Sequence, residues 1–432
     1  MPPVLAELIR RNFDPGAPSS AFWSQWKSPG DVFSVLLILG GDVVARALAQ
    51  LAGSRITPVA FSFGWVAYAV TAVVSAIGEN KLMPLPDCDC KVINGESGHV
   101  RDNTSWIIGR IVRDFENWMD NGKPNGEIRT QLNNLIQKRW EYEIAEAEKK
   151  HPGSEKNVEQ PSQAGLCVSI YTAEQAQKGY PGYDLVYWIG YVTTFFQLGI
   201  AAIPCGIYGD WGIFLITIVG ISLSFVTGSL PQWSEEKWAC RKNSTKSVIL
   251  TRGNGSQHAI VVLGQGKGLD LEDLAAGQTN VDVSASWFTR ISVVILATLW
   301  ILLLITAAGI QQNTWYLLAI GGIGILQNIF VAGWRRFPKA YGIPLTFKEV
   351  IGKNKVMDTL FAVEELYPHV GASMRDTFFP GKLREHEEKR WAEFEKIAQQ
   401  KDKAVKQQRA QGNQPNSGTR PSHDSVQQPP KT

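Results

Sequence analysis

Residues 291–310 read ISVVILATLWILLLITAAGI, a stretch without a single charged side chain. A helix of about twenty apolar residues is long enough to cross the hydrocarbon core of a bilayer. A large buried helix of a soluble protein is the alternative, but uncharged stretches of this length are typical of membrane spans. We therefore interpret this stretch as a transmembrane helix.

Five further apolar segments approach this length, and all six come in pairs. Short turns at 52–57, 204–210 and 311–314 join the members of each pair, which makes them antiparallel neighbours. The sequence therefore predicts a mainly α membrane protein with six transmembrane helices in three hairpins. The predicted spans are Val32 to Leu51, Pro58 to Ile77, Leu185 to Ile203, Trp211 to Gly228, Ile291 to Ile310 and Trp315 to Val331.

The spans divide the 432 residues into membrane and soluble parts. The last stretch is rich in Gln, Pro and Ser, a composition typical of disorder. The predicted parts are an N-terminal cytoplasmic segment (1–31), the first hairpin (32–77), a long cytoplasmic loop (79–184), the second hairpin (185–228), a cytoplasmic loop with a β-hairpin (229–290), the third hairpin (291–334), a cytoplasmic helical tail (335–410) and a disordered end (411–432).

The distribution of charge predicts the orientation in the membrane. Lysine and arginine accumulate on the cytoplasmic side, and here they flank the spans on the side of the long loops, whereas the short turns carry only Arg55. An even number of spans places both termini and both long loops together, so we predict that they are cytoplasmic. N-glycosylation sequons at 103–105, 243–245 and 254–256 favour the opposite orientation, but this short pattern often arises by chance.

The first predicted span contains the most unusual residues. Asp42 and Arg46 lie near its middle, where each costs about 2.5 to 3.5 kcal/mol on the insertion scale. Arg46 lies four residues after Asp42, and Gln50 lies four residues after Arg46. This spacing predicts that the three side chains form one polar face of the helix. Small residues at the same spacing beside this face favour close packing, and we expect the helix in the bundle interior.

This polar face has several interpretations. Asp42 and Arg46 form either a buried ion pair that fixes helix register or, with Gln50, the lining of a polar pathway or substrate pocket. A third alternative is that the segment does not span the membrane. Gln327 and Asn328 follow a glycine-rich surface in the last predicted span that is comparable to the small-residue surface of the first. These five residues are the candidate intramembrane polar site.

The two long loops predict a small α/β cytoplasmic subdomain. Residues 247–251 and 258–263 read as strands around a Gly-Asn-Gly-Ser turn, which predicts a hairpin. Two strands alone are marginally stable, so we expect the strand at 166–171 to join them. Helices are predicted at Trp106 to Met119, Ile128 to about Lys149, Thr346 to Lys353, Lys355 to Tyr367 and Leu383 to about Arg409.

Signals for cofactor, metal or nucleic acid are weak. The Cys-Asp-Cys motif at 88–90 with His99 lacks the spacing of a zinc site, and the glycine-rich stretch at 264–268 lacks the phosphate-loop pattern. The acidic cluster at 270–273 is explained by a helix capped by its first residue. A net charge of +3 is too small to indicate nucleic acid binding. We therefore assign no catalytic residue, metal or cofactor.

Six segments of the chain carry a resemblance to a known group of proteins: GDVV (41–44), TPVAFSFGW (57–65), GDWG (209–212), LTRGNG (250–255), GLDLEDL (268–274) and FFPG (378–381). They resemble a group of multi-pass membrane proteins from filamentous fungi. The resemblance covers most of the chain, and no activity is assigned to that group. It therefore implies a fungal membrane setting and supplies no catalytic residues.

Three functional classes remain. A membrane scaffold or accessory subunit, whose partners are the bilayer and a protein bound at the cytoplasmic loops, requires nothing that the sequence lacks, and we favour it. A transporter or channel would use the face formed by Asp42, Arg46 and Gln50. A membrane-bound enzyme is disfavoured, because no nucleophile motif, metal triad or pair of catalytic carboxylates is present.

Overall fold

The structure, a computed structural model, describes residues 32–53, 55–150, 158–277 and 283–412, and of residues 32–39 and 402–412 it describes the backbone only. The predicted N-terminal segment (1–31) and residues 413–432 lie outside this part of the chain. The helices are α1 (Val32–Leu51), α2 (Gly64–Val74), α3 (Trp106–Arg113), α4 (Phe115–Trp118), α5 (Glu127–Lys150), α6 (Leu185–Tyr208), α7 (Gly212–Gly228), α8 (Pro231–Lys237), α9 (Leu271–Ala276), α10 (Trp287–Ala308), α11 (Thr314–Gly333), α12 (Val356–Leu366), α13 (Val370–Phe378) and α14 (Glu385–Gly412).

Three helices, α6, α10 and α11, are long and apolar enough to cross a membrane. Helices α7 and α8 qualify together, but they bend by 41° at the break between them. The described residues therefore contain three such helices, or four with the bent pair, where the sequence predicted six. Helix α1 also has the length of a span, and its described side chains include the charged residues Asp42 and Arg46.

The prediction of a continuous second span, Pro58 to Ile77, is wrong. Residues 57–63, here called the extended segment, are non-helical and buried, and α2 begins only at Gly64. A short π-helix, Ser75–Glu79, follows α2. Proline is tolerated at the first position of a helix, so Pro58 does not explain why the residues after it are extended. Their backbone bonds instead to side chains on other helices.

Six helices form a ring in the order α1, α2, α10, α7, α6 and α11, and α11 closes it on α1. Helices α1 and α11 run in the same direction. Gln50, at the end of α1, bonds to Trp334, just after the end of α11, and Gly40 lies beside Ile325 near the middle of both helices. Helix α2 runs antiparallel to α10, since Trp65 stacks on Trp300 and Asn80, just beyond α2, bonds to Arg290 near the start of α10.

This arrangement differs from the predicted antiparallel first hairpin. The extended segment carries the chain back into the ring, so α1 and α2 both run toward the same end. That end holds the last residues of α1 and α11 and the first residues of α6 and α10, and it adjoins the sheet. Val32, at the start of α1, therefore lies at the opposite end of the bundle.

A six-stranded mixed sheet has the order β2-β1-β5-β6-β3-β8. The predicted β5–β6 hairpin is confirmed, and β3 joins it as expected, pairing parallel with β6. Strands β1, β2 and β8 extend the sheet. Residues 346–353, predicted as a helix, belong largely to β8, which pairs antiparallel with β3. The strands are β1 (Lys91–Asn94), β2 (Val100–Asp102), β3 (Cys167–Ala173), β4 (Lys242–Ser244), β5 (Ser247–Thr251), β6 (His258–Leu263), β7 (Gly268–Leu269) and β8 (Leu345–Gly352).

The two faces of this sheet have different neighbours. Helices α12, α13 and the start of α14 cover one face through a separate hydrophobic core that includes Phe361 and Trp391. The other face packs on α3 and α4, and its core continues without interruption into the bundle. We call the sheet together with α3–α5, α9 and α12–α14 the sheet module.

Candidate functional site

Five polar side chains meet where the bundle joins the sheet module. They come from α1, α3, α8 and the chain that follows α11, and each is at most 2% exposed. Buried charges are costly unless they are paired and hydrogen-bonded, so their partners define what this site can do. We call these residues the junction cluster: Gln50, Arg110, Lys237, Arg336 and Tyr341.

Gln50 uses both ends of its amide. Nε2 donates to the carbonyl oxygen of Trp334 at 3.0 Å. Oε1 accepts from the hydroxyl of Tyr341 at 3.0 Å and from Arg110 at 3.3 Å. A buried polar group that loses its partner costs about 1–3 kcal/mol. Gln50 therefore ties α1 to α11 and to the sheet module, and its side chain is not free to line a pathway.

Lys237 and Arg336 bind carbonyl groups at the end of α1. Lys237 Nζ donates to the carbonyls of Gln50 and Ala52 at 3.1 and 2.8 Å, and Arg336 donates to that of Gln50 at 2.9 Å. The last carbonyls of a helix lack intrahelical partners and carry partial negative charge. The two cations therefore cap α1, and Lys237 also lies 4.8 Å from the ring centroid of Trp238.

Carboxylates balance the two arginines of the cluster. Arg336 donates twice to Asp184, at 2.8 and 2.9 Å, and Arg110 lies 3.1 Å from Asp87. Burial lowers the pKa of Arg110, although a guanidinium stays charged in proteins. Lys237 has no carboxylate partner among the described residues. Carbonyl groups and aromatic rings surround its ammonium group, and Arg336 binds the same Gln50 carbonyl beside it.

Asp42 and Arg46 form an ion pair, but the pair lies on the outer surface of the bundle. Nε of Arg46 is 3.0 Å from Asp42, and the side chains of Arg46 and Asp42 are 47% and 70% exposed. Each step of four residues turns about 40° around a helix, so Gln50 points elsewhere, into the junction cluster. Arg46 also lies 3.9 Å from Asp87, which connects the pair to that cluster.

Amide side chains hold the extended segment inside the ring. Gln197 donates to the carbonyl of Phe61 at 2.7 Å. Gln327 accepts from the N–H of Ala60 at 3.2 Å, and Asn328 donates to the carbonyl of Ala60 at 3.3 Å. Unpaired backbone groups in a bilayer cost several kcal/mol each. Gln327 and Asn328 therefore bind the backbone of this segment.

Glycines allow the extended segment to touch its neighbours. A Cβ atom on Gly324 would overlap the carbonyl oxygen of Phe61, and one on Gly190 would overlap that of Pro58. Gly322, on another side of α11, has no described atom within 4 Å of such a Cβ. On α11, the close backbone approach is therefore made at Gly324, which faces the segment, and not at Gly322.

Stacked aromatic rings fill the middle of the bundle. The ring centroid of Trp300 lies 5.5 Å from that of Trp65 and 6.1 Å from that of Phe61, with nearly parallel planes. The indole N–H of Trp65 donates to the carbonyl of Ala60 at 2.9 Å. All three aromatic side chains are buried, so the interior of the helix ring is filled by side chains at this point.

The acidic cluster at 270–273 caps a helix, as predicted. Asp270 accepts from the N–H groups of the first turn of α9. Burial raises the pKa of Glu272, but hydrogen bonds from Lys246, Asn94 and Arg101 outweigh it and hold the pKa at about 2. In the described part of the chain, no group of three or more His, Cys, Asp or Glu side chains is arranged to hold a metal.

A cleft in the sheet module contains His258. Its ring packs on Phe115 with centroids 5.0 Å apart, and Nε2 lies 3.7 Å from Glu116. The cleft encloses about 440 Å³ and is also lined by Arg113 and Arg252. Burial lowers the pKa of His258, so the ring is neutral at neutral pH. These groups could hold a small polar molecule.

The cysteines are all free thiols. Cys88 is half-buried, whereas Cys90 is buried. Burial raises the pKa of Cys90, Cys167 and Cys240 to about 12. These three thiols are therefore protonated, and weak nucleophiles, at neutral pH.

Sequence reasoning missed Gln197, Arg110 and Lys237. Gln197 lies inside the third predicted span, so the criterion that selected Gln327 would have found it. Arg110 and Lys237 lie in soluble-looking segments, and their partners at Gln50 are 60 and 187 positions away. No local pattern marks such residues.

The described fold is a helical bundle, three of whose helices are long and apolar enough to cross a membrane, packed against a mixed α/β module. Comparisons with protein-family models, with curated proteins and with solved structures gave no significant match to the chain.

Proposed function

We propose that the chain is a multi-pass membrane protein that holds the sheet module at one face of the bilayer as a scaffold or accessory subunit. The junction cluster carries this proposal. Its buried bonds join α1 and α11 to the module, and one hydrophobic core runs through both parts. Such a connection keeps a module in a fixed position, which is what a partner-binding subunit requires.

The helix directions favour five crossings and one re-entrant element. In this proposal α1, α6, the bent pair α7–α8, α10 and α11 cross the membrane. The extended segment enters from the module side, and α2 returns to that side. Non-helical backbone is tolerated at membrane depth where protein surrounds it, as it does here. Val32 and the sheet module would then lie on opposite sides of the membrane.

Charge favours a cytoplasmic module. The turns at the far end of the bundle, 209–211 and 309–313, contain no Lys or Arg. The N-terminal segment, which this proposal places on the same side, has three basic residues, Arg10, Arg11 and Lys27. Most of the Lys and Arg of the chain lie in the sheet module and the loops at the other end, and basic residues accumulate on the cytoplasmic side. Asn103, in one sequon, is buried and bonds to Ser105, which also fits this side. The fungal setting implied by the resemblance is compatible with the proposal and adds no activity to it.

The protein partner would bind the exposed end of α5. Ile128, Leu132 and Leu135 are buried against the module, but the second half of the helix extends beyond that contact. Tyr142 there is 66% exposed, and large aromatic side chains often supply the energy of protein interfaces. We therefore choose Tyr142 to test the proposed interface.

The experiment compares two variants of the full chain. After mild detergent extraction, we expect a protein to co-purify at fixed stoichiometry with the wild type and with D42N/R46Q, and to be lost with Y142A. In proteoliposomes all three should show no more solute or ion flux than empty vesicles. Flux that D42N/R46Q abolishes and Y142A leaves intact would show that the transporter alternative is right.

A further inference from the structure

A cavity of about 480 Å³ lies where α6 begins and α11 ends. Arg335 and Lys339 line it together with the aromatic residues Tyr180, Tyr183 and Trp334. It therefore combines positive charge with aromatic surface at one place in the fold, at the module end of the bundle.

Positive charge exceeds negative charge in this cavity. Its carboxylate, Asp184, is bound by Arg336 through two hydrogen bonds, so their charges compensate one another. Arg335 and Lys339 are both exposed, and neither forms an ion pair with a carboxylate in the described part of the chain. The cavity thus carries two positive charges that are available to an anion.

The surroundings of the cavity match the boundary of a bilayer. Tyr183, Trp188 and Trp334 are exposed beside it, and such aromatic rings favour the headgroup layer. Farther along α6 and α11, Val192 and Ile329 are exposed apolar residues, a surface that suits acyl chains. Basic pockets between transmembrane helices are known binding places for acidic lipid headgroups.

We infer that this cavity binds the phosphate of an anionic phospholipid headgroup through Arg335 and Lys339. The aromatic residues support the glycerol region, and the acyl chains extend along α6 and α11. This inference rests on the proposed placement in the bilayer. A soluble phosphate would use the same two cations but gain nothing from the apolar surface below them, which is why the lipid is favoured.

The test measures binding of dioctanoyl phosphatidic acid to the purified full chain in detergent by native mass spectrometry. We expect the wild type to bind it, R335Q/K339Q to bind it at least about tenfold more weakly, and R335K/K339R to retain binding. K149Q/K396Q removes two exposed cations elsewhere and should bind like the wild type. Because Arg335 and Lys339 are exposed, R335Q/K339Q should unfold at the wild-type temperature without lipid.

Three outcomes would overturn the inference. The site is wrong if R335Q/K339Q binds phosphatidic acid as well as K149Q/K396Q does. Headgroup recognition is wrong if dioctanoyl phosphatidylcholine binds equally well. The lipid source is wrong if inorganic phosphate or glycerol 3-phosphate binds as tightly. Carbonate extraction of native membranes tests the bilayer placement separately, so a failure of the proposed function can be told apart from a failure of this site.

Discussion

Among single residues, the buried polar groups contribute more to holding the structure together than the exposed charge pair does. Asp42 and Arg46 looked exceptional because charges are rare in apolar helices, but they lie on the surface and bond to each other. Gln50 looked like a minor extension of their face, yet it is completely buried and has three partners. The effect of a substitution on stability should therefore depend on the hydrogen-bond partners that the replaced side chain has.

Changing Gln50 to Leu should destabilise the protein strongly. It leaves the Trp334 carbonyl, the Tyr341 hydroxyl and one donor of Arg110 buried without this partner, at about 1–3 kcal/mol for each group that stays unpaired. We expect a clear fall in the unfolding temperature of the purified full chain in detergent. Asp42→Asn is the control, because its side chain is largely exposed and should change that temperature little. Equal effects of the two variants would contradict the role assigned to Gln50.

Glu272 should make the stability of the sheet module depend on acid pH. Its pKa is held at about 2, below the ordinary value of 4.5, so the folded state binds fewer protons than the unfolded state between these values. The stabilisation is complete above the unfolded pKa and is lost as pH falls toward 2. Unfolding temperature measured from pH 6 to pH 2 should therefore fall less steeply in E272Q than in E393Q, an exposed control. Parallel curves for the two variants would refute this.

At the scale of elements, the extended segment is the least expected part of the bundle. Its apolar composition resembles a span, but its backbone bonds to Gln197, Gln327 and Asn328 on other helices. Strand β8 shows the same effect in the module, since 346–353 was predicted as a helix and lies mostly in a strand beside β3. The extended segment and β8 each adopt the conformation in which neighbouring groups can satisfy their backbone hydrogen bonds.

Helix α11 offers a matched test of the extended segment. Gly324→Ala should prevent correct assembly, because the new methyl group would overlap the carbonyl oxygen of Phe61. Gly322→Ala, two residues away, meets no described atom and should be tolerated or slightly stabilising, since alanine favours helices by about 1 kcal/mol over glycine. The measurement is the yield of monodisperse protein after detergent extraction. Tolerance of both variants would mean that Phe61 does not lie against α11.

At the scale of the whole molecule, helix direction determines which parts share a side of the membrane. The sequence predicted three hairpins with both termini together, whereas α1 and α11 run in the same direction. The reason is that the extended segment enters the bundle from the module end and α2 returns the chain to that same end. An odd number of crossings is the consequence of the proposed placement.

Labelling of sealed membrane vesicles should reveal this topology. In a chain whose native cysteines are replaced by serine, we expect an impermeant maleimide to reach Q312C, at the far turn, from the side that also exposes an N-terminal epitope tag. N354C, in the sheet module, should react only from the other side. If the tag and N354C were accessible from the same side, the proposal of five crossings and a re-entrant segment would be wrong.

Local chemistry in the sequence was sufficient for the apolar helices α6, α10 and α11, the β5–β6 hairpin, the charged helices α5 and α14, and the cap at Asp270. These elements depend on continuous apolar composition, turn residues and capping, which neighbouring positions supply. The path of the extended segment, the strand β8 and the junction cluster depended on the folded chain, because their hydrogen-bond partners lie far away in sequence. Buried backbone and charged groups must find such partners wherever the fold places them.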